Sequence, residues 1–401
     1  MKIKTSSQKL EELLTRGVEE IINKEHLKKR LLTGEKLRIK FGIDPTAPDI
    51  HLGHTVPLRK LKQFQELGHK IVLIIGDFTA QIGDPSGRAE ARKPLSKKEI
   101  VNNFKKYLFQ AGKIIDINKT EIHYNSEWFE KEGTIRLLEL SRAGSIQQIL
   151  RRADFQKRIA EGRDISLLEI LYPLFQAYDS VKVKSDLEVG GTDQKFNLLM
   201  GRRVQRHYQM PEQDIMLTPL LEGIDGVRKM SKSYGNYIAL DETPNIMFEK
   251  IMRLPDNLII KYFLICTDKS ENEIKKIKTG IERNQINPRD AKIELAKEIV
   301  TLYHGEKTAQ KSEKEFNRIF KEKELPTKIP AITIKEKSLN ILDLLVKTKL
   351  ASSKSEARRL IEQGGVRING EVQKDWKKQI EIKKGMMIQV GKRKFSSIYQ
   401  S

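Results

Sequence analysis

Residues 38–80 read RIKFGIDPTAPDIHLGHTVPLRKLKQFQELGHKIVLIIGDFTA, and the order of patterns in that stretch decides the fold. RIKFGIDPT is a short β-type run closed by turn residues. The apolar positions from Leu52 to Leu67 then recur at helical spacing, and Ile71 to Ile75 is an unbroken apolar run stopped by glycine, as in a strand buried on both faces. Strand, turn, helix and strand make a βαβ unit, which builds an open parallel sheet whose ligands bind beyond the carboxyl ends of its strands. The turn that ends in HLGH therefore belongs at the mouth of a site.

Two of the seven histidines, His51 and His54, fall in that turn. A helix N-terminus offers unpaired N–H groups and a partial positive charge, so it is suited to phosphate. At i and i+3 the imidazoles add two donors on one face, and Gly53 between them lets a flat ring approach the backbone. On spacing alone the pair reads equally well as two capping or surface histidines.

Working outward, residues 1–240 read as a Rossmann-like α/β domain with a parallel sheet, opened by an N-terminal helical segment. Residues 241–325 are charged and helical in spacing and read as a separate α-helical domain. Residues 326–337 are charged, punctuated by prolines, and read as a linker, while 338–401 read as a small α+β module. The chain has 401 residues, is 38% hydrophobic and carries a formal charge of +21, which suggests a large polyanionic partner, although lysine enrichment alone would also produce it. No apolar leader or membrane-length run is present, which implies a cytoplasmic protein with no membrane association. The lone Cys266 excludes a disulfide framework and a cysteine-clustered metal site, and no protein-bound metal is expected.

A second element, GVRKMSKSYGN (Gly226 to Asn236), sets Lys229 and Lys232 among small hydroxyl residues between glycines, the composition of a loop that carries point charges to phosphate oxygens. HLGH followed much later by KMSKS resembles the paired signatures of class I aminoacyl-tRNA synthetases. In a third element, LYPLFQAYDSV, residues Tyr172, Gln176 and Asp179 form one polar helical stripe where an apolar core stripe is the ordinary finding. With GDPSGR (Gly83 to Arg88) and VGGTDQ (Val189 to Gln194), the whole chain resembles the tyrosyl-tRNA synthetase family. It is closer to a second bacterial subgroup, in which GDFTA (Gly76 to Ala80) replaces a glycine-rich stretch.

The resemblance implies that Asp179 accepts the phenol hydroxyl of L-tyrosine. Tyr172, Gln176 and Asp84 would surround its ammonium, Gln194 and Gly42 would complete that pocket, and Asp77 would be an additional ammonium ligand. Lys40 and Phe41 stand where the family often has a tyrosine and a cysteine; a Lys40 that points outward leaves Asp179 as the main determinant at the phenol end. For ATP, the resemblance implies that His51 and His54 donate to the phosphates and that Gly53 packs beneath adenine. Asp193 and Gly191 would hold the ribose, while Asp44 and Thr46 would flank the reacting phosphates. Arg88, Arg92, Lys229 and Lys232 would grip the leaving pyrophosphate, with Mg²⁺ arriving on ATP.

Residues 337–401 hold 15 Lys and Arg against 6 Asp and Glu. There Ser353 to Glu356 is a capping-box signature, and Gly364 and Gly365 stop the helix it opens. This segment resembles a small RNA-binding module of ribosomal type, with Lys354, Arg358 and Arg359 on a helix face that fits phosphates; a basic solubility appendage is the plainer alternative. The resemblance also implies tRNA(Tyr) as partner and a homodimer. Rival readings are another HxGH nucleotidyl transferase, the tryptophan enzyme, or an RNA-binding factor on a decayed synthetase. The intact KMSKS, GGTDQ and polar stripe count against all three.

Overall fold

Six strands form the sheet that the Arg38–Ile75 pattern implies. The structure, a computed structural model, describes residues 6–45, 49–86, 96–320, 329–391 and 394–400. The strands are β1 (Glu20–Ile22), β2 (Arg38–Ile43), β3 (Lys70–Ile75), β4 (Glu121–Tyr124), β5 (Leu187–Gly191) and β6 (Asp214–Thr218), in spatial order β1-β6-β5-β2-β3-β4. All neighbours are parallel except β1, which runs antiparallel along β6. Ile71 to Ile75 are buried on both faces, as their unbroken apolar run requires.

Strand order reverses between β5 and β2, so the loops leaving their carboxyl ends diverge and open a crevice. Helix α1 (Leu52–Glu66) follows β2 and buries Leu52, Val56, Leu58, Leu61 and Phe64. Helix α2 (Lys97–Ala111) anchors the rim of the turn before α1, because the Gln110 side chain accepts from the Ile50 N–H at 2.8 Å. Helix α3 (Ser126–Ser141), broken at Gly133 where φ is +60°, follows β4. Helix α4 (Leu167–Lys182) carries the polar stripe and starts at a capping box, in which Ser166 accepts from the Glu169 N–H and Glu169 accepts from the Ser166 N–H. Buried Arg158 pairs with that Glu169, which also fixes the entry of α4.

Three expectations change. The N-terminal segment is not purely helical: Gly17, at φ +65°, follows a short helix, and Glu20–Ile22 pairs with the edge of β6. The boundary at 240/241 does not separate compact units, since the chain divides into Met1–Glu313 and Lys314–Ser401. Helices Pro244–Met252 and Ile259–Cys266 bury Met247, Phe248, Ile251, Tyr262 and Phe263, and Arg16 donates to the Leu264 carbonyl at 2.9 Å, so the helices after 240 pack into the first unit. Finally, the expected linker 326–337 contains strand β7 (Ala331–Ile334), which pairs in parallel with the strand Lys394–Gln400. Pro330 precedes the strand rather than interrupting it, and its carbonyl accepts from the Ser397 N–H at 2.8 Å.

The second unit is α+β. A five-stranded and a two-stranded sheet pack with helices Ile341–Lys347 and Lys354–Glu362 around Ile341, Leu344, Leu345, Ile361, Val366, Ile388 and Ile398. Its Val366–Ile368 and Glu371–Gln373 strands form a hairpin, with Asn369 and Gly370 at positive φ in the turn.

Candidate active site

A cavity of about 680 Å³ opens at the strand-order switch. Its lining includes His51, Gly53, His54, Gly191, Asp193, Lys229 and Lys232 together with Gly42, Asp44, Asp84, Tyr172, Gln176, Asp179 and Gln194. The volume suits a ligand of nucleotide or drug size. Residues from distant parts of the first unit thus share one chamber.

At one end the two imidazoles stack with centroids 3.7 Å apart, and the His51 backbone N–H donates to His54 Nδ1 at 3.2 Å. Since Nδ1 of His54 accepts, its proton in the neutral ring sits on Nε2, open to the cavity. Burial, then the neighbouring His54, Lys232 and Lys229 charges, push His51 down to about 2. Enclosure by the cleft walls and the Lys232 charge push His54 down to about 4, although its side chain is solvent-exposed. Both rings are therefore neutral hydrogen-bond donors at pH 7. His51 Nδ1 is buried and lacks a protein partner among the described residues. A Cβ on Gly53 would lie 3.0 Å from two atoms of the His51 ring, so only glycine leaves that ring undisturbed.

The lysine loop is joined to this turn by backbone: Leu52 N–H donates to Ile238 O at 3.0 Å and Leu240 N–H to Ile50 O at 2.9 Å. Buried Asn236 organises the loop, accepting from the Ser231 N–H and donating to Asp225, Arg228 O and Lys229 O. Lys229 pairs with Asp193 at 2.9 Å and Lys232 with Asp49 at 2.6 Å. Asp49 is a site residue that sequence reading missed; its only signal was its place two residues before His51.

At the other end, the Tyr172 hydroxyl donates to Asp44 Oδ2 at 2.8 Å, and Thr79 donates to Asp44 Oδ1 at 2.8 Å. Burial, with Asp44 and Asp84 nearby, raises the Tyr172 phenol well above its ordinary range. Asp84 accepts from Gln194 at 2.8 Å, and Gln194 in turn accepts from Asn197 at 2.9 Å. Gln176 Oε1 is buried without a protein partner among the described residues, on the cavity-lining stripe. A Cβ on Gly42 would meet nothing within 4 Å, so a side chain there would take cavity space. A Cβ on Gly76, by contrast, would sit 1.9 Å from Asp44 Oδ1.

Asp179, 2% exposed, accepts from Trp128 Nε1 at 3.0 Å and from Asn125 at 3.5 Å. Burial raises its carboxyl to about 7, against the opposing pull of Lys40 and of these two donors. Asn125 and Trp128 lie far from Asp179 in sequence, and no motif marked them.

Several expectations move. Asp77 does not line the cavity: it accepts from the Ser126 N–H at 2.9 Å and Ser126 Oγ at 2.6 Å, capping the start of α3. Lys40 does not point outward; it is fully buried and pairs with Glu188. Thr46, Arg88 and Arg92 lie outside the described residues. In the second unit, Lys354, Arg358 and Arg359 are exposed on one helix. Lys354 pairs there with Asp343, and Arg358 pairs with Glu362 and stacks 4.4 Å over Trp376, an aromatic that sequence reading passed over.

A family model described as tRNA synthetases class I (W and Y) matches residues 32–321, and one described as tyrosine–tRNA ligase SYY-like C-terminal domain matches residues 321–398. A tyrosine–tRNA ligase of Thermotoga maritima is 49% identical over 386 residues, covering 96% of each chain. One of Moorella thermoacetica is 47% identical over 391 residues, covering 96% of this chain and 95% of its own. Among solved structures, a C-terminally truncated Aspergillus nidulans mitochondrial tyrosyl-tRNA synthetase aligns with a TM-score of 0.65 at 26% identity, over 78% of this chain and 94% of its own.

Proposed function

The chain belongs to the tyrosine–tRNA ligase family of class I tRNA synthetases, enzymes that join an amino acid to tRNA at the expense of ATP, and on that premise we propose which side chains do each part of the work. Tyrosine lies along α4, its phenol hydroxyl donating to Asp179 and its ammonium meeting Gln176 Oε1, Tyr172 and Asp84. ATP lies against the His51–His54 turn, with adenine over Gly53 and the ribose hydroxyls at Asp193 and Gly191. Asp44 orders the junction between the two substrates through Tyr172 and Thr79. The sequence motifs assign Thr46, Arg88 and Arg92 to the phosphates.

In the first step a tyrosine carboxylate oxygen attacks the α-phosphorus and pyrophosphate leaves with the bond to the β-phosphate. The carboxylate is ionised at pH 7, so no general base is needed, and rate comes from alignment and from donors aimed at the developing charge. Neutral His51 and His54 supply such donors. Lys229 and Lys232, which rest on Asp193 and Asp49, are the cations for the departing pyrophosphate. In the second step a hydroxyl of the tRNA 3′-terminal ribose attacks the tyrosyl carbonyl and AMP leaves. Mg²⁺ enters with ATP as part of the substrate, held by its phosphates.

The single observation that carries this reading is one cavity with paired neutral imidazoles at one end and, at the other, a buried carboxylate beside an amide oxygen that has no partner among the described residues. Leaving Asp179 against an unsubstituted aromatic ring would strand a buried acceptor, so phenylalanine is the disfavoured substrate. The basic second unit is assigned to tRNA(Tyr), through Lys354, Arg358 and Arg359. A homodimer is part of the proposal, supported by exposed Ile135, Leu138, Leu167 and Leu168 on helices α3 and α4, which pack together. So is a cytoplasmic location, where ATP and tRNA are found. Exchange of labelled pyrophosphate into ATP, screened over the twenty amino acids, tests the assignment: tyrosine alone should drive it, and exchange driven equally by phenylalanine or tryptophan would overturn it.

A further inference from the structure

At the floor of the amino-acid pocket, where Glu188 joins the cavity lining, lies a buried polar network that the reaction scheme leaves unused. Lys40 on β2 and Glu188 on β5 stand directly opposite each other in register, and their side chains pair at 2.8 Å with 0% and 2% exposure. Lys40 Nζ also donates to the Gln176 carbonyl at 3.0 Å and to Ser180 Oγ at 2.8 Å, so all three of its hydrogens are placed. Ser180 passes a hydrogen to Glu188 at 3.2 Å, and Gln213 donates to the same carboxylate oxygen. The neighbouring helix comes so close that a Cβ on Gly201 would lie 2.6 Å from Gln213 Nε2.

Taking two charges out of water is costly, and well-packed apolar residues often serve stability as well or better. The contacts of the pair suggest another use. Gln176 and Ser180 are one helical turn apart and bracket Asp179, so Lys40 grips the turn that presents the amino-acid stripe. We propose that Lys40, held by Glu188, is a positioning residue for tyrosine: it fixes the α4 turn that carries Gln176 and Asp179 and brings a positive charge within Coulombic reach of Asp179. The groups facing Asp179 are Lys40 and Glu188 from the sheet, Asn125 and Trp128 from the start of α3, and Tyr172 from its own helix. Among them Lys40 is the cation.

This rests on Asp179 being the phenol acceptor, and the test separates the two claims. Lys40→Met combined with Glu188→Gln removes the pair without stranding a buried charge. In the full-length enzyme the double variant should raise the tyrosine KM in pyrophosphate exchange about tenfold or more, the loss expected for one hydrogen bond to a charged group. The acid limb of kcat/KM for tyrosine should move to higher pH, while kcat at saturating tyrosine and the KM for ATP stay within about twofold, because the phosphate end is untouched. Ser180→Ala, a milder change, should raise the tyrosine KM about threefold through loss of one bond. Wild-type tyrosine KM and pH limb in these variants would overturn the inference. Asp179→Asn is the control: if it leaves tyrosine-over-phenylalanine selection intact, the pocket reading fails; if it abolishes selection while the Lys40 variants behave as wild type, the positioning claim alone fails.

Discussion

Acidification should weaken tyrosine capture before it harms the chemistry. Asp179 is held near 7 by burial, so at pH 5 about one molecule in a hundred carries the carboxylate that accepts the phenol hydrogen. If the ionised form is the competent one, kcat/KM for tyrosine falls about tenfold per unit below pH 7, reaching about 100-fold at pH 5. The imidazoles add no limb in that range, being pushed down to about 2 and about 4 and already neutral. Saturating tyrosine should flatten kcat, because the bound phenol stabilises the ionised carboxylate. The same shift has a stability sign. A carboxyl raised from 3.8 to about 7 binds its proton more tightly in the native chain than in the unfolded one, so its contribution is present below about pH 4 and lost as pH rises through about 7, an ionisation cost of about 4 kcal/mol that bound tyrosine should offset. Pyrophosphate exchange from pH 5 to 7.5 measures the limb, and Asp179→Asn should remove it. A flat profile, or a limb that survives Asp179→Asn, would mean that ionisation of Asp179 does not govern tyrosine capture.

His54→Ala or Lys232→Ala should slow adenylate formation about 100-fold in rapid-quench experiments while the tyrosine KM moves less than about threefold, as for donors that act on the transition state. Gly76→Ala forces a methyl to within 1.9 Å of Asp44 Oδ1, so it should dislodge the carboxylate from Tyr172 and Thr79, lower stability by about 3 kcal/mol in denaturant unfolding, and raise the tyrosine KM. Truncation after Phe320 should spare pyrophosphate exchange and impair tRNA charging, and tRNA affinity of the full chain should fall steeply with salt, because neutralised phosphates release counterions.

The features legible in the sequence were the local ones. Period and turn chemistry located β2, α1 and β3 because each pattern is carried by consecutive residues, and His51, Gly53 and His54, the KMSKS residues and the α4 stripe residues all reach one cavity. What escaped depended on partners distant in the chain. Lys40 read as an anomaly until its register partner Glu188, on a strand more than a hundred residues later, supplied its counter-charge. Asn125 and Trp128 reach Asp179 only because β4 ends beside α4. Asp77 has the right type and neighbourhood for an ammonium ligand, yet the unpaired Ser126 N–H at the start of α3 claims it. Strand β7 was hidden by its flanking prolines and lysines, since an edge strand can carry both.

A crystal structure of the protein with tyrosine and a non-hydrolysable ATP analogue would place both substrates in the cavity at once. In it the phenol oxygen should lie within hydrogen-bond distance of Asp179, the triphosphate against His51 and His54, and the tyrosine carboxylate should face the α-phosphorus in the same cavity. Tyrosine bound with its ring away from Asp179, or a nucleotide seated outside the His51–His54 turn, would contradict this arrangement.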